Sequence, residues 1–130
     1  MVLVDSSVWI DYLNGNPTLQ ADILDSLLGH TPIAMGDLIL VEVLQGFQND
    51  RDFKQALKLF DSLIPVDMLG REIAIQSAKN YRILRQKSIT VRKTMDIIIG
   101  TFCIERKFSL LHNDRDFAPM EEHLHLQVIR

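Results

Sequence analysis

The stretch that decides the fold is Val2-Leu3-Val4-Asp5-Ser6-Ser7-Val8-Trp9-Ile10-Asp11-Tyr12-Leu13. Val2, Leu3 and Val4 form a short apolar run with β-branched residues, the pattern of a strand buried on both faces. The run stops at Asp5. After Ser6 and Ser7, the residues Val8, Trp9, Tyr12 and Leu13 recur at helical spacing. Strand, polar turn and helix in that order suit an open parallel sheet, where ligands gather beyond the carboxyl ends of the strands. A carboxylate at that point is placed for chemistry, and it is equally placed to cap the helix.

Outward from this stretch, Asn14-Gly15-Asn16-Pro17 reads as a turn. Residues 18–28 set Leu19, Ile23, Leu27 and Leu28 on one helical face closed by Gly29. Ile33-Ala34-Met35 is a second short strand, and a helix over 38–48 follows, with Asp37 as its expected cap. Phe53, Ala56, Leu57 and Phe60 mark another helix. Leu63-Ile64-Pro65-Val66 reads as a third strand, sent to a sheet edge by its proline. Long helices are expected over 69–87 and 94–107. Strands are expected over 108–111 and 127–129. The alternation implies an α/β architecture with helices on both faces of a mostly parallel sheet of about five strands.

Composition bounds the function. The 130 residues are 47% hydrophobic, enough for one domain with a proper core. No apolar run reaches the roughly 20 residues of a membrane span. The first residues lack the basic start and cleavage site of a signal peptide. The single cysteine, Cys103, cannot form an internal disulfide and reads as a buried small hydrophobe. A cytoplasmic location is expected. The formal charge of −3 does not advertise nucleic-acid binding.

Four acids stand where acids are awkward. Asp5 ends the first strand. Glu42 lies in Leu38-Ile39-Leu40-Val41-Glu42-Val43-Leu44, apolar on every side, where a lone charge is costly unless it is paired or binds a metal. Asp96 sits in the first turn of a nearly all-apolar helix, Thr94-Met95-Asp96-Ile97-Ile98-Ile99; Asp114 follows the fourth strand in His112-Asn113-Asp114-Arg115-Asp116-Phe117. Each has an ordinary explanation: helix cap, rim or paired residue, dipole partner, Asx turn. Together they are better explained by convergence, because the first and fourth strands can be neighbours where the winding reverses. Clustered carboxylates repel one another unless a cation intervenes. An all-oxygen ligand set suits Mg²⁺ or Mn²⁺ rather than Zn²⁺.

Over its whole length the chain resembles PIN-domain ribonucleases, specifically the VapC-type toxins of toxin–antitoxin pairs. The opening Val-Asp-Ser-Ser-Val-Trp-Ile, the Glu42 helix, Met95-Asp96-Ile97-Ile98-Ile99 and Leu111-His112-Asn113-Asp114-Arg115-Asp116-Phe117 carry the likeness. The resemblance implies a PIN-like three-layer α/β/α fold over residues 1–130. It also implies metal-binding and catalytic acids Asp5, Glu42, Asp96 and Asp114, with Asp116 a common fifth acid. Ser6 or Ser7 would be the polar partner in the first motif, and Asn113 a supporting polar residue. His112 departs from the pattern, standing where a small hydroxylated residue is frequent. The implied activity is endoribonuclease cleavage of structured RNA such as tRNA by metal-activated water, leaving a 5′-phosphate and a 3′-hydroxyl. The implied partners are the RNA, a VapB-type antitoxin whose C-terminal segment lies across the protein near the acidic site, and a second copy of the chain.

Between Ile73 and Met95 there is no acid, while Lys79, Arg82, Arg85, Lys87, Arg92 and Lys93 are basic. With Ala74, Ala78, Tyr81 and Leu84 as the inward stripe, a basic face would lead to the Asp96 helix and suit a phosphate backbone; a solvated helix face is the plainer reading. Lys79, Arg82, Arg85, Arg92 and Lys93 are therefore the expected RNA-binding residues. His123-Leu124-His125 lacks the further ligands of a zinc site. Two other classes compete. A response-regulator-like phosphoacceptor would need a paired acid at the first strand and a lysine ending a late strand. A non-catalytic RNA- or protein-binding module would be expected to lack one of the acids, and none is missing.

Overall fold

The computed structural model describes residues 1–130. Four parallel strands form one sheet: β1 (Val2–Val4), β2 (Ile33–Gly36), β3 (Ile64–Val66) and β4 (Ser109–Leu111), in the order β3-β2-β1-β4. Winding starts at β1, moves outward to β3, then returns to place β4 against the other side of β1. The register Val2↔Ser109, Leu3↔Leu110, Val4↔Leu111 brings the ends of β1 and β4 level. The Asp5 N–H extends this pairing by donating to the Leu111 carbonyl at 2.9 Å. Leu3, Val4, Leu110 and Leu111 are fully buried, as central parallel strands covered on both faces must be.

Two helical groups accompany the sheet. In the first, α1 (Ser6–Leu13) packs on α2 (Leu19–Leu27) and on α3 (Asp37–Leu44), which meets α4 (Asp50–Phe60). In the second, α5 (Arg71–Gln86) packs along α6 (Thr94–Arg106) and touches α7 (Ala118–Leu124). Trp9, fully buried, stacks edge-on against Phe60 with ring centroids 5.1 Å apart, joining α1 to α4. Thr18 and Asn49 cap α2 and α4 through their side-chain oxygens, each a residue type that satisfies free helical N–H groups. Cys103 is buried, as expected of a small apolar residue.

Several expectations need correction. Residues 127–129 make no full fifth strand; Val128 forms a single parallel bridge to Leu110 of β4. Helix α3 ends at Leu44, not 48, and Asp37 is its first residue, with Gly36 in the cap position. The Asp37 carboxylate instead accepts from the Leu38 and Met68 N–H groups, both at 2.9 Å, pinning the loop before α5. The inward stripe of α5 is Ile73, Ser77, Asn80 and Leu84, while Ala74 and Ala78 are exposed. The stripe is turned by one residue because Asn80 donates to Thr101 of α6 at 3.0 Å inside the interface. The edge position of β3, with Pro65 paired to Met35, is as expected. No helix is long and apolar enough to cross a membrane.

Candidate metal centre

The acids gather where the ends of β1 and β4 meet the first turn of α6. Asp5 caps α1: its Oδ2 accepts from the Ser7 N–H at 3.1 Å and from the Ser7 hydroxyl at 2.6 Å. The Ser7 Oγ also accepts from the Asn113 N–H at 3.2 Å, so one hydroxyl ties the β1 turn to the loop after β4. Ser6 donates to Glu42 Oε1 at 3.2 Å, drawing the α3 carboxylate toward the same turn. Glu42 is only half-buried, and its neighbour Val41 is 57% exposed, so α3 is not enclosed by apolar residues as its sequence suggested. The Asn113 amide reaches Asp11 of α1 at 3.5 Å.

Asp96, Asp114 and Asp116 each offer a carboxylate oxygen, all within 4.8 Å of one another. The Asp114 Oδ1 accepts from the Asp116 N–H at 2.9 Å, an Asx turn that opens the short 3-10 segment 115–117 and leaves Oδ2 facing the cluster. Asp96 is 4% exposed, and its Oδ2 has no hydrogen-bond partner. A buried carboxylate oxygen without a hydrogen bond is costly unless a cation completes it. His112 supports the loop from behind: its Nδ1 accepts from the Asp114 N–H at 3.1 Å. Its Nε2 lies 3.1 Å from Glu121 of α7, which is in turn paired with Arg130.

The electrostatics agree with the crowding. Burial raises the Asp5 carboxyl above its ordinary range; the two Ser7 hydrogen bonds pull it partly back, and the charge of Asp114 adds to the rise. Burial and then the charge of Asp5 raise Glu42. Asp96 is pushed up to about 6, chiefly by burial, with Lys93 opposing and Asp114, Asp5 and Asp116 adding. Asp5, Glu42 and Asp96 each feel the charge of Asp114, and Asp96 also feels Asp5 and Asp116, as acids gathered around one crevice do.

Two of the basic residues stand at the edge of this crevice. Lys93 Nζ lies 3.4 Å from Asp114 Oδ2 and 3.8 Å from Asp96 Oδ2, and Arg92 pairs with Asp116 at 3.3 Å. Their position as counter-charges was not read from the sequence, although the spacing of Lys93 and Asp96, three apart at a helix start, carried the signal. The other three basic residues do not form one face. Lys79 shares a shallow cleft with Glu72 and Glu105, Arg85 lies 5.8 Å over the Tyr81 ring, and Arg82 borders an apolar groove between α5 and α6. The stretch without acids in sequence meets them in space. His123 and His125 join no metal-like group; the one such cluster is Asp96, Asp114 and Asp116.

The donor set is oxygen throughout, with an orphaned buried Oδ2 at its centre, and it fits a hard divalent cation such as Mg²⁺ or Mn²⁺.

The PIN-domain family matches residues 2–122, and the chain belongs to that family. It is similar over its length to Ribonuclease VapC11 of Mycobacterium tuberculosis, 27% identical over 130 residues covering 98% of this chain and 97% of the relative. A VapC ribonuclease of Mycobacterium bovis is similar to the same extent. Among solved structures it resembles the VapBC2 complex of Rickettsia felis bound to a promoter DNA fragment: TM-score 0.78, 16% identity, 99% of this chain and 98% of that one. VapBC-1 of nontypeable Haemophilus influenzae follows: TM-score 0.73, 18% identity, covering 99% and 97%. These likenesses establish the fold.

Proposed function

We propose that the chain, acting as a single PIN domain in the cytoplasm, is a metal-dependent endoribonuclease and the toxin of a type II toxin–antitoxin pair. The observation that carries the reading is the orphaned Asp96 Oδ2 at the centre of three carboxylates, beside Asp5 and Glu42. Asp96, Asp114 and Asp116 would hold Mg²⁺ or Mn²⁺ together with Asp5, and Glu42 would contribute directly or through water. A bound divalent ion lowers the pKa of a coordinated water and offsets the charge of a phosphodiester. The protein's own part is positional. Ser7 fixes the Asp5 carboxylate and the Asn113 backbone; Ser6 holds Glu42, which is suited to orient an attacking water; the Asx turn aims Asp114. The ribose hydroxyl takes no part, so no cyclic phosphate forms; a 5′-phosphate and a 3′-hydroxyl are the product ends that the resemblance to PIN-domain ribonucleases implies.

The names of the relatives support the ribonuclease class, and the VapBC complexes support a VapB-type antitoxin as partner. A structured RNA such as tRNA is the proposed substrate. Arg92 and Lys93 at the crevice, with Lys79, Arg82 and Arg85 beyond it, are the proposed phosphate contacts. Two copies are proposed to pair through the groove between α5 and α6, lined by Leu69, Ala74, Ala78, Tyr81, Ile97 and Ile98. Its floor holds the buried Ser77 hydroxyl, which has no partner within the chain. A phosphoacceptor is disfavoured because β4 ends at Leu111, and the lysine near the acids comes from the loop before α6.

The deciding experiment incubates structured RNA with the protein and Mn²⁺ or Mg²⁺, with and without chelator, beside Asp5→Asn and Asp96→Asn. Cleavage lost on chelation and in both folded variants is the expected result. Chelator-resistant cleavage, or full activity in Asp96→Asn, overturns the assignment.

A further inference from the structure

Lys93 occupies an unusual place among the acids. Its backbone is extended at φ −115°, in the cap position of α6, and its side chain caps nothing. Instead Nζ faces two particular oxygens, Asp114 Oδ2 and Asp96 Oδ2. The Asp114 Oδ1 is already engaged by the Asp116 N–H, and Asp96 Oδ2 is the orphaned atom. The ammonium therefore stands at the oxygens that the protein's other groups leave free, which are also the ones a divalent ion needs. The hold is weak. The Lys93 side chain is 60% exposed and its two contacts are long, so at the lysine end each pair is open to solvent and screened, although Asp96 itself is buried. Its flexible stem can swing outward without disturbing α6, since no other side-chain bond anchors it.

We propose that Lys93 is a displaceable counter-ion. It neutralises Asp96 and Asp114 while the site holds no metal, yields to a divalent cation, and then offers its ammonium to the RNA backbone. This rests on the metal-site reading above and adds a coupling to it. A side chain that must leave the carboxylates before it can meet a phosphate makes metal and RNA binding mutually reinforcing, and linkage makes the coupling reciprocal. The expected size is modest, because both contacts are long and the lysine that breaks them is exposed.

The test measures Mn²⁺ binding to the metal-free protein by calorimetry at fixed ionic strength, for wild type, Lys93→Gln, Lys93→Arg and Asp96→Asn. A second arm follows binding of a labelled phosphorothioate RNA by anisotropy, with and without Mn²⁺. Lys93→Gln should bind Mn²⁺ about three- to tenfold more tightly, with Lys93→Arg close to wild type. The gain in RNA affinity that Mn²⁺ brings should shrink several-fold in Lys93→Gln. Equal or weaker Mn²⁺ binding by Lys93→Gln, with wild-type binding intact and lost in Asp96→Asn, overturns the counter-ion role alone. No Mn²⁺ binding by wild type, or none lost in Asp96→Asn, overturns the metal site itself.

Discussion

His112 shows how a single side chain can replace a familiar one and do more. A small hydroxylated residue at that position would accept the N–H two residues on, as Ser and Thr do in turns. Here the ring nitrogen Nδ1 accepts the Asp114 N–H, which requires it to be unprotonated and leaves Nε2–H to donate to Glu121. The imidazole thus ties the acidic loop to α7 and, through Glu121, to Arg130. Groups that orient a ligand typically matter about 10- to 100-fold in metal affinity. His112→Ala should weaken Mn²⁺ binding by about tenfold. His112→Asn, whose amide oxygen can accept the same N–H, should recover most of that affinity without the link to Glu121. Calorimetry on the three proteins checks the ordering.

Asp96 sets the pH response at the same scale. Its folded-state pKa is raised from 3.8 to about 6, so the folded protein binds the proton more tightly than the unfolded chain does. The stabilisation is fully present below about pH 4 and is lost as pH rises through about 6. Metal-free protein should therefore be more resistant to urea near pH 5 than near pH 7, with Asp96 contributing about 1 kcal/mol of the difference. Asp5 and Glu42 are raised too and act in the same direction. Saturating Mn²⁺ should remove the trend, because a ligand carboxyl must be deprotonated, and Mn²⁺ affinity should fall below about pH 6. Paired urea titrations in chelator and in Mn²⁺ measure both effects.

At the level of elements, α6 carries the site and is fixed by a close approach. Gly100, one turn beyond Asp96, has the Sδ of the fully buried Met120 where a Cβ would go. Gly100→Ala gains about 1 kcal/mol of helix propensity and loses about 1–3 kcal/mol to overpacking. A net destabilisation of about 1 kcal/mol is expected in urea melts, partly recovered by Met120→Val, which withdraws the sulfur. The pairing of Gly100 with Met120 was not legible in the sequence, because it spans two helices. Helices and central strands were legible wherever large apolar residues recurred, as in α6 and β1. The inward face of α5 was not, because Ala, Ser and Asn at neighbouring positions barely differ in hydropathy, and the Asn80–Thr101 bond decided between them. The fifth strand failed for a related reason: Gln127-Val128-Ile129 has strand-like residues, yet only one bridge forms beside β4. The acids were recognised one by one because Asp5, Asp96 and Asp114 sit at element boundaries and Glu42 in an apolar run, places where a charge needs a reason. The cations beside them were read as a strip, since a linear sequence does not show which way a loop folds back.

For the molecule as a whole, the open question of partners turns on the face left over when the core is complete. The groove between α5 and α6 has a volume of about 460 Å³ and is walled by Leu69, Ala74, Ala78, Tyr81, Ile97 and Ile98. Leu69 is 45% exposed, and the small side chains of Ala74 and Ala78 allow another helix to come close. The groove reaches Thr94, the residue after Lys93, so a second copy seated there would stand beside the acidic crevice and extend its walls toward RNA. Ala78→Glu puts a charge into the groove at an exposed helical position, where the folded monomer should change by about 0.5 kcal/mol or less. If the pairing is as proposed, wild-type protein should scatter light as a dimer and Ala78→Glu as a monomer with unchanged melting in urea. Because each chain holds its own Asp5, Glu42, Asp96, Asp114 and Asp116, the monomeric variant should keep its Mn²⁺ affinity while binding structured RNA more weakly. A variant that stays dimeric would move the pairing to another face. One that loses Mn²⁺ as it dissociates would show that the centre depends on its neighbour.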